Sequence, residues 1–421
     1  MTELTSRSRQ PHLLEFGLLW PPEAFIAAKL ERLGSRGVKI TVASPPSPGK
    51  RALPNVDVLG VVATDVRVLD LRSRLRGLWS LIVLLASRPR RGFAVIRAAG
   101  LPNAAGQSIA RRERSARRLA YAQLARRRPD VIQFEWESAA VDYWSLVEAL
   151  GIPAVMSCRG SPVAHVLRPS RRRIAKGLSS VFDRTAAAHC VSAASAREAI
   201  ALGLDPDKVR VIRAAVDPRY FCPPSAHRHG ADHLHVVSVG HLRWLKGHEY
   251  AVLTIAELAR DGIPVVLEII GGDPHPEIGE VSERARIRYV SDYLGIGDRV
   301  RLLGALRHEE TRRHLQLADV LLHTSLTEGL PNAVVEGMAC GLAVVATDTG
   351  GTSEALRHGV DGFLVPGRDP SAAARALATL WRDRELRMRM GRAGRARVKA
   401  EFTPERQAEE WMRLYADVAR L

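Results

Sequence analysis

Cysteine is scarce: Cys158, Cys190, Cys222 and Cys340 are the whole supply, and none sits in C-x-x-C spacing. That argues against a disulfide framework and a cysteine zinc site, and fits a reducing cytoplasm. Long apolar runs are missing too. The longest clean one, Leu78 to Ala86, is under half of the roughly 20 residues a membrane-spanning helix needs. The opening MTELTSRSRQ is basic but has no apolar h-region and no small-residue cleavage site after one, so no signal peptide is expected. Aromatic residues make up only 5% of the chain, yet 46% is hydrophobic and 25% charged. Such a chain can bury large cores, which excludes disorder as its main state. Its 421 residues allow two or three domains.

Carboxylates are short in one half only. Residues 1–229 hold 37 Lys and Arg against 18 Asp and Glu, a net +19; residues 230–421 hold 25 against 27, a net −2. The alternative reading is a bias toward arginine codons, although bias alone should not spare the second half. An asymmetry of this kind points to an anionic partner: nucleic acid, a phospholipid surface or a phosphorylated substrate. Two stretches concentrate the charge. Arg67, Arg72, Arg74 and Arg76 precede the run Leu78 to Ala86, which contains Trp79, and Arg88, Arg90 and Arg91 follow it. This pattern suits either an interfacial helix on anionic lipid or a core helix with solvated ends. The second stretch holds Arg111, Arg112, Arg114, Arg117 and Arg118, then Arg126 to Arg128. At helical spacing, 111, 114 and 118 share a face, read as solvated.

No repeat of fixed period stands out. Short β-branched runs alternate with longer amphipathic segments. In the first half 38–42, 131–134, 154–156 and 209–212 read as strands; in the second, 234–239, 265–270, 300–303, 320–323 and 343–346 do. Helical patterns cover 25–33, 195–202, 248–260, 309–317 and 371–381. Repeated βα units imply parallel sheets covered on both faces. Asp217 to Asp232 has three prolines, a glycine and no period. It reads as a linker, with domains of 1–229 and 230–421. Ligands of such sheets sit beyond the carboxyl ends of the strands, and a central cleft between two of them is the expected active site.

The run Thr327-Glu-Gly-Leu-Pro-Asn-Ala-Val-Val-Glu-Gly-Met-Ala-Cys-Gly341 follows a strand. Pro331 suits the first turn of a helix, Asn332 can cap or sit in it, and Gly341 can end it left-handed. Glu328 then lies in the loop before a helix and Glu336 about one turn into it. Free N–H groups at the helix start form an anion site. Two carboxylates beside an anion site are electrostatically odd unless each binds hydroxyl donors. A nucleotide-diphosphate sugar supplies both.

Glu328 and Glu336 with seven residues between them resemble the EX7E signature of retaining GT-B glycosyltransferases of family 4. Val239-Gly240-His241-Leu242-Arg243-Trp244-Leu245-Lys246-Gly247 resembles the family's VGRLxxxKG turn, and Ile269 to Gly272 its IxGxG segment. Val300 to Gly304, Asp348 to Glu354 and Asp361 to Val365 resemble its VxFLG strand, glycine pair and NGxLV strand, in the family's order. Trp20 to Ile26, which includes Glu23, resembles the FPxxSETFI opening of polysaccharide-type members, and Arg213 to Asp217 its PNGVD turn. The resemblance implies two doubly wound Rossmann-like domains, the last helix crossing back to the first, and transfer of a hexosyl group with retention in cell-envelope polysaccharide or glycolipid assembly. It implies a nucleotide-sugar donor and no metal or other cofactor, since fixed cations and a helix start can stabilise the leaving group. Glu336 would accept from the ribose hydroxyls and Glu328 from those of the transferred sugar. The backbone of Gly329, Leu330, Pro331 and Asn332, with Gly240 and Gly272, would frame the phosphates and sugar. Lys246 would face the diphosphate.

Two departures stand out. The family arginine of VGRL is His241 here, and Arg243 is the candidate replacement. In the first half Arg159 takes the place of a family histidine, and arginine cannot act as a base at neutral pH. It could bind an acceptor phosphate or the donor diphosphate. Glu135, Glu137 and His165 are the other polar candidates nearby, and Glu23, Glu135 and Arg159 make up the expected acceptor side. The basic half is expected to hold a lipid-linked or otherwise anionic glycan acceptor at the inner face of the plasma membrane. Alternatives are an inactive nucleotide-sugar-binding homologue and a nucleotide-sugar epimerase, which would need no acceptor. No G-x-G-x-x-G follows a strand with a suitably placed acid, which argues against a dehydrogenase, and no pyridoxal lysine site signals a phosphorylase. The basic runs lack interleaved aromatics or a recognition module, so nucleic acid is not expected.

Overall fold

The computed structural model describes residues 10–46, 52–160, 169–224, 232–273 and 282–420, without the side chains of 169–173. The expected His165 lies outside the described residues. The chain divides into two compact units, residues 1–212 with 404–421 and residues 213–403.

The first unit runs β1 (His12–Phe16), α1 (Ala24–Ser35), β2 (Lys39–Ser44), β3 (Val56–Gly60), α2 (Leu71–Ser87), α3 (Pro89–Ala98) and α4 (Arg111–Arg127). It continues through β4 (Val131–Phe134), α5 (Glu137–Tyr143), α6 (Ser145–Leu150), β5 (Ala154–Cys158), α7 (Pro169–Arg184), β6 (Ala187–Cys190), α8 (Ala193–Ala201) and β7 (Val209–Val211). The seven strands are all parallel, in the order β3-β2-β1-β4-β5-β6-β7. β1, β4, β5 and β6 are buried throughout, as a sheet covered by helices on both faces requires. α1 turns Ile26, Leu30 and Leu33 toward the sheet, the stripe that spacing of three and four residues produces.

The second unit holds β8 (Leu234–Val239), α9 (His248–Arg260), β9 (Val265–Ile270), α10 (Glu283–Tyr293), β10 (Val300–Gly304), α11 (His308–Leu317) and β11 (Val320–His323). After these come α12 (Asn332–Ala339), β12 (Ala343–Thr347), α13 (Thr352–Ala355), β13 (Gly362–Val365), α14 (Pro370–Arg382) and α15 (Arg384–Glu401). Its sheet is also parallel, in the order β10-β9-β8-β11-β12-β13. α14 starts cleanly: Asp369 accepts from the Ala372 N–H at 2.8 Å and Pro370 fills the first turn. The last helix, α16 (Pro404–Ala419), belongs to the first unit, where Trp411, Leu414, Tyr415 and Val418 are buried against the side of the sheet that α1 covers.

The break between units falls at 212/213, not at 229/230 as the sequence suggests. The proline-rich stretch is tied to the second unit instead. Val216 N–H donates to the Phe402 carbonyl at 2.8 Å, Arg395 reaches the Pro218 and Phe221 carbonyls, and Gln316 donates to the Cys222 carbonyl at 2.7 Å. Absence of a helix or strand period marks a loop, but these ties make it a fixed one.

Candidate functional site

In the second sheet the strand order reverses between β8 and β11, the place where a parallel sheet forms a crevice beyond the carboxyl ends of its strands. The loops leaving these two strands, 240–247 and 324–331, are stitched together. The Leu326 N–H donates to the Leu245 carbonyl at 2.8 Å, and the Thr324 hydroxyl donates to the Gly247 carbonyl at 2.8 Å. Gly247 has φ +61°, and a Cβ there would run into the Thr324 carbonyl, so the closure needs glycine.

This stitching brings Lys246 and Glu328 together. Lys246 Nζ donates to Glu328 Oε1 at 2.6 Å, and His323 Nε2 lies 3.0 Å from the same oxygen. The Glu328 side chain is 9% exposed and that of Lys246 28%. Burial by itself would raise the Glu328 pKa; the Lys246 ammonium and the His323 ring outweigh it and hold the carboxyl well below the usual carboxylate range. The backbone of Glu328 is also clamped. The Gly351 N–H donates to its carbonyl at 3.3 Å, and Gly350, at φ +53°, approaches so closely that a Cβ would collide with that carbonyl.

Helix α12 begins just beyond. Pro331 sits one residue earlier than the sequence suggests, as the extended N-cap (φ −78°, ψ 107°), and Asn332 is the first helical residue. The amides of Gly329, Leu330, Asn332 and Ala333 find no acceptor among the described residues. Gly341, at φ +82°, ends the helix left-handed. Glu336 projects from the second turn, partly exposed, and no donor among the described residues meets its carboxyl. Burial pushes its pKa up to about 8.

Gly240, His241 and Gly272 lie together. The Gly240 N–H donates to Ile270 and the Leu242 N–H to Gly272, each at 2.9 Å, and a Cβ on Gly271 would overlap the Gly240 carbonyl. His248 Nε2 holds the Gly240 carbonyl at 3.1 Å; burial lowers the His248 pKa to about 4, which keeps the ring neutral. His241 and Arg243 are exposed, and the Arg243 side chain enters no ion pair among the described residues.

In the first unit the acceptor-side candidates separate. Glu135 follows β4 but is fully buried, between Lys29 and Arg159, and pairs with both. Here its carboxylate faces these two cations. Further polar groups join the cluster. Lys29 also donates to Glu15 at 2.6 Å, Ser157 donates to Glu135 at 3.4 Å, and the Tyr415 hydroxyl donates to Gln133 at 3.2 Å. Burial works against ionisation of Glu135, but Lys29 and Arg159 prevail and hold it well below the usual range, while burial pushes Glu15 up. Glu137 is buried too, and its carboxylate accepts from the Arg159 N–H at 3.2 Å. Arg159 itself is partly exposed, 4.9 Å from the Phe25 ring and 5.6 Å from the Trp136 ring. Glu23, the residue before α1, is exposed with no side-chain partner among the described residues.

Residues 225–397 match the family described as Glycosyl transferases group 1, and residues 23–220 match Glycosyltransferase Family 4. The chain belongs to the group 1, family 4 glycosyltransferases. Among relatives, one component of the human phosphatidylinositol N-acetylglucosaminyltransferase is 40% identical over 168 residues, 40% of this chain and 33% of that protein. The GDP-mannose-dependent alpha-(1-6)-phosphatidylinositol monomannoside mannosyltransferase of Mycobacterium tuberculosis is 30% identical over 252 residues, 56% of this chain and 61% of that one. The chain thus spans between a third and two-thirds of the length of these relatives. Sucrose-phosphate synthase from Thermosynechococcus elongatus superposes with a TM-score of 0.75 at 19% identity, covering 96% of this chain and 98% of that one. The fold is GT-B, two Rossmann-like domains of parallel sheet.

In this member of the family the sequence pattern points to Lys246, Glu328 and Glu336 but not to His323, His248, Lys29 and Glu15. Lys29 left a trace: a lysine inside the apolar stripe Ile26-Leu30-Leu33 needs a buried carboxylate. His323 ends the apolar run of β11, where a ring can lean over the crevice. Among the described residues no group of three or more His, Cys, Asp or Glu is placed to hold a metal. No helix there is long and apolar enough to cross a membrane.

Proposed function

We propose that the chain is a retaining hexosyltransferase that moves a sugar from a nucleotide diphosphate to an anionic, lipid-linked acceptor. The observation that carries this reading is the crevice of the second unit, where a Lys246–Glu328 pair, four unused amides and an unpartnered Glu336 converge on two adjoining loops and one helix start. Amides and the Lys246 ammonium suit a diphosphate. Glu336, with no donor of its own, suits the vicinal hydroxyls of a ribose, and Glu328, ionised, suits those of the sugar. Gly240, Gly272 and His241 frame the diphosphate, and Arg243 supplies a second cation from the exposed side.

Transfer then proceeds on one face of the sugar. The bond from the anomeric carbon to the phosphate oxygen breaks, the acceptor oxygen bonds to that carbon from the same side, and the acceptor proton passes to the departing phosphate. Lys246 and the helix amides stabilise the charge left on the phosphate. The first unit takes the acceptor, with Arg159 and Glu23 as its polar contacts and Glu135 fixing Arg159. The names of the two relatives, both of which specify phosphatidylinositol or a derivative of it, and the +19 charge of the first half favour an acceptor with a phosphorylated headgroup at a membrane surface.

A thermal-shift panel of UDP, GDP, ADP and TDP and their sugars tests the donor. A ligand at about 100 times its Kd stabilises the fold by about 2.7 kcal/mol. One nucleotide should stand out, and Glu336→Ala should abolish that shift. A flat panel, or an unchanged shift in the folded variant, refutes the assignment.

A further inference from the structure

Helix α2 is amphipathic the wrong way round. Its inner face is narrow: Gly77, Ser80 and Leu84 are buried, and a Cβ on Gly77 would crowd Leu119 of α4. α3 closes in on the next turn, where Gly92 leaves no room for a Cβ beside Leu85. The opposite face carries the large apolar side chains. Leu71, Leu75, Leu78, Trp79 and Ile82 are all exposed, Trp79 by 61%, and Phe93 on α3 adds another at 65%. At 3.6 residues per turn the five α2 side chains fall within an arc of about 100°, a continuous stripe rather than scattered leucines.

The rim of that stripe is cationic. From Leu71 to Arg112 the sequence has nine arginines and no acidic residue. Arg72 and Arg76 flank the stripe on the helix, and Arg88, Arg90 and Arg91 gather at the turn into α3. None of these five side chains enters an ion pair among the described residues. The combination is selective. A second copy of the same face would meet it with like charge, and a nucleic acid would leave five large aliphatic and aromatic side chains without a use. An anionic bilayer answers both features: its headgroups take the guanidinium groups while the acyl boundary takes the stripe.

We propose that the outward face of α2, with Phe93 of α3 and the arginines of the α2–α3 turn, is the surface by which this chain docks on an anionic membrane. It deepens the proposed reading, in which the acceptor is lipid-linked, by naming the face that reaches the lipid. Trp79 and Ile82 enter the headgroup–acyl boundary, and Arg72, Arg76, Arg88, Arg90 and Arg91 stay at headgroup level.

The test is co-sedimentation of the full chain with vesicles of phosphatidylcholine alone or mixed with phosphatidylglycerol. The chain should be recovered on the mixed vesicles and not on the neutral ones, less so at high salt. Each basic residue near such a surface is worth about 1 kcal/mol, or about fivefold in partitioning. The triple variant Arg88→Gln/Arg90→Gln/Arg91→Gln should therefore bind about 100-fold more weakly. Trp79→Ser/Ile82→Ser should lose at least about tenfold, from the transfer energy of two side chains. Because those two positions are exposed, the double variant should keep the wild-type circular dichroism and nucleotide thermal shift. Brominated lipid should quench wild-type fluorescence more than that of Trp79→Phe. No recovery on anionic vesicles, equal recovery on neutral ones, or undiminished binding of both variants overturns the proposal. So does a chain that dimerises through this face in sedimentation and ignores vesicles. A flat nucleotide panel with vesicle binding intact would instead fail the donor assignment alone.

Discussion

Replacing Glu336 by glutamine separates the two states of a carboxyl that is largely out of water and without a donor. Burial raises its pKa to about 8 in the ligand-free chain, against about 4.3 in an unfolded one. A raised folded pKa contributes stability that is fully present below the unfolded value and is lost as pH rises through the folded one. Wild type and Glu336→Gln should therefore be equally stable near pH 4, and the variant should gain on wild type up to pH 8. Each tenfold change in the ionisation constant is worth about 1.4 kcal/mol, which sets a ceiling of about 5 kcal/mol. Partial solvent access at Glu336 lowers the expected gain to about 2 kcal/mol. Nucleotide binding should reverse the preference. Hydroxyl donors favour the carboxylate, so binding should release protons wherever the free carboxyl is still protonated, and affinity should climb with pH until the free group is ionised. Urea denaturation at pH 5 and 8.5, with titration calorimetry in phosphate and in Tris, reads both effects. Equal stability at both pH values and a binding enthalpy indifferent to the buffer would refute the reasoning, because Glu336 would then be ionised and partnered before any ligand arrives.

Other perturbations test the remaining contacts. Lys246→Met removes the ammonium beside Glu328 and should lower turnover by about 100-fold or more, and it should also cost about 2 kcal/mol, since it leaves the buried Glu328 carboxylate with His323 alone; steady-state kinetics and a melting curve together check this. Glu135→Gln leaves Lys29 and Arg159 without their carboxylate and should cost about 3 kcal/mol in denaturant unfolding; an unperturbed midpoint would mean that the cluster is not held by charge. Gly350→Ala forces a Cβ into the Glu328 carbonyl at a positive φ, and should cost at least about 1 kcal/mol and raise the donor KM, read by melting and kinetics.

How much of this molecule a sequence shows depends on what each residue is paired with. β8, β9 and β11 announce themselves because strands buried on both faces read as apolar runs. β1 does not, because Glu15 interrupts it; that residue is tolerated in the core only because Lys29 arrives from α1. β6 is hidden similarly, with His189 held between Ser157 and the Ile212 carbonyl. β3 lies at the sheet edge and carries Asp57 in the open. The helix reading of Leu78 to Ala86 left a core and an interfacial helix open, since seventeen residues of α2 show the same periodicity either way. Only the packing of Gly77 and Ser80 on the inside turns the leucines out.

By itself the sequence determined the repeated βα units, the charge asymmetry, and the spacing that sets Glu328 before a helix and Glu336 on it. All of these follow from local periodicity and composition. The tertiary structure alone decided that Lys246 meets Glu328, 82 residues away, because β8 and β11 are neighbours at the point where the sheet reverses. It decided that Glu135 is sealed between two cations, that 213–224 is fixed to the second unit, and that α16 completes the first. Each depends on which distant segments become neighbours, and no local pattern of residue types encodes that.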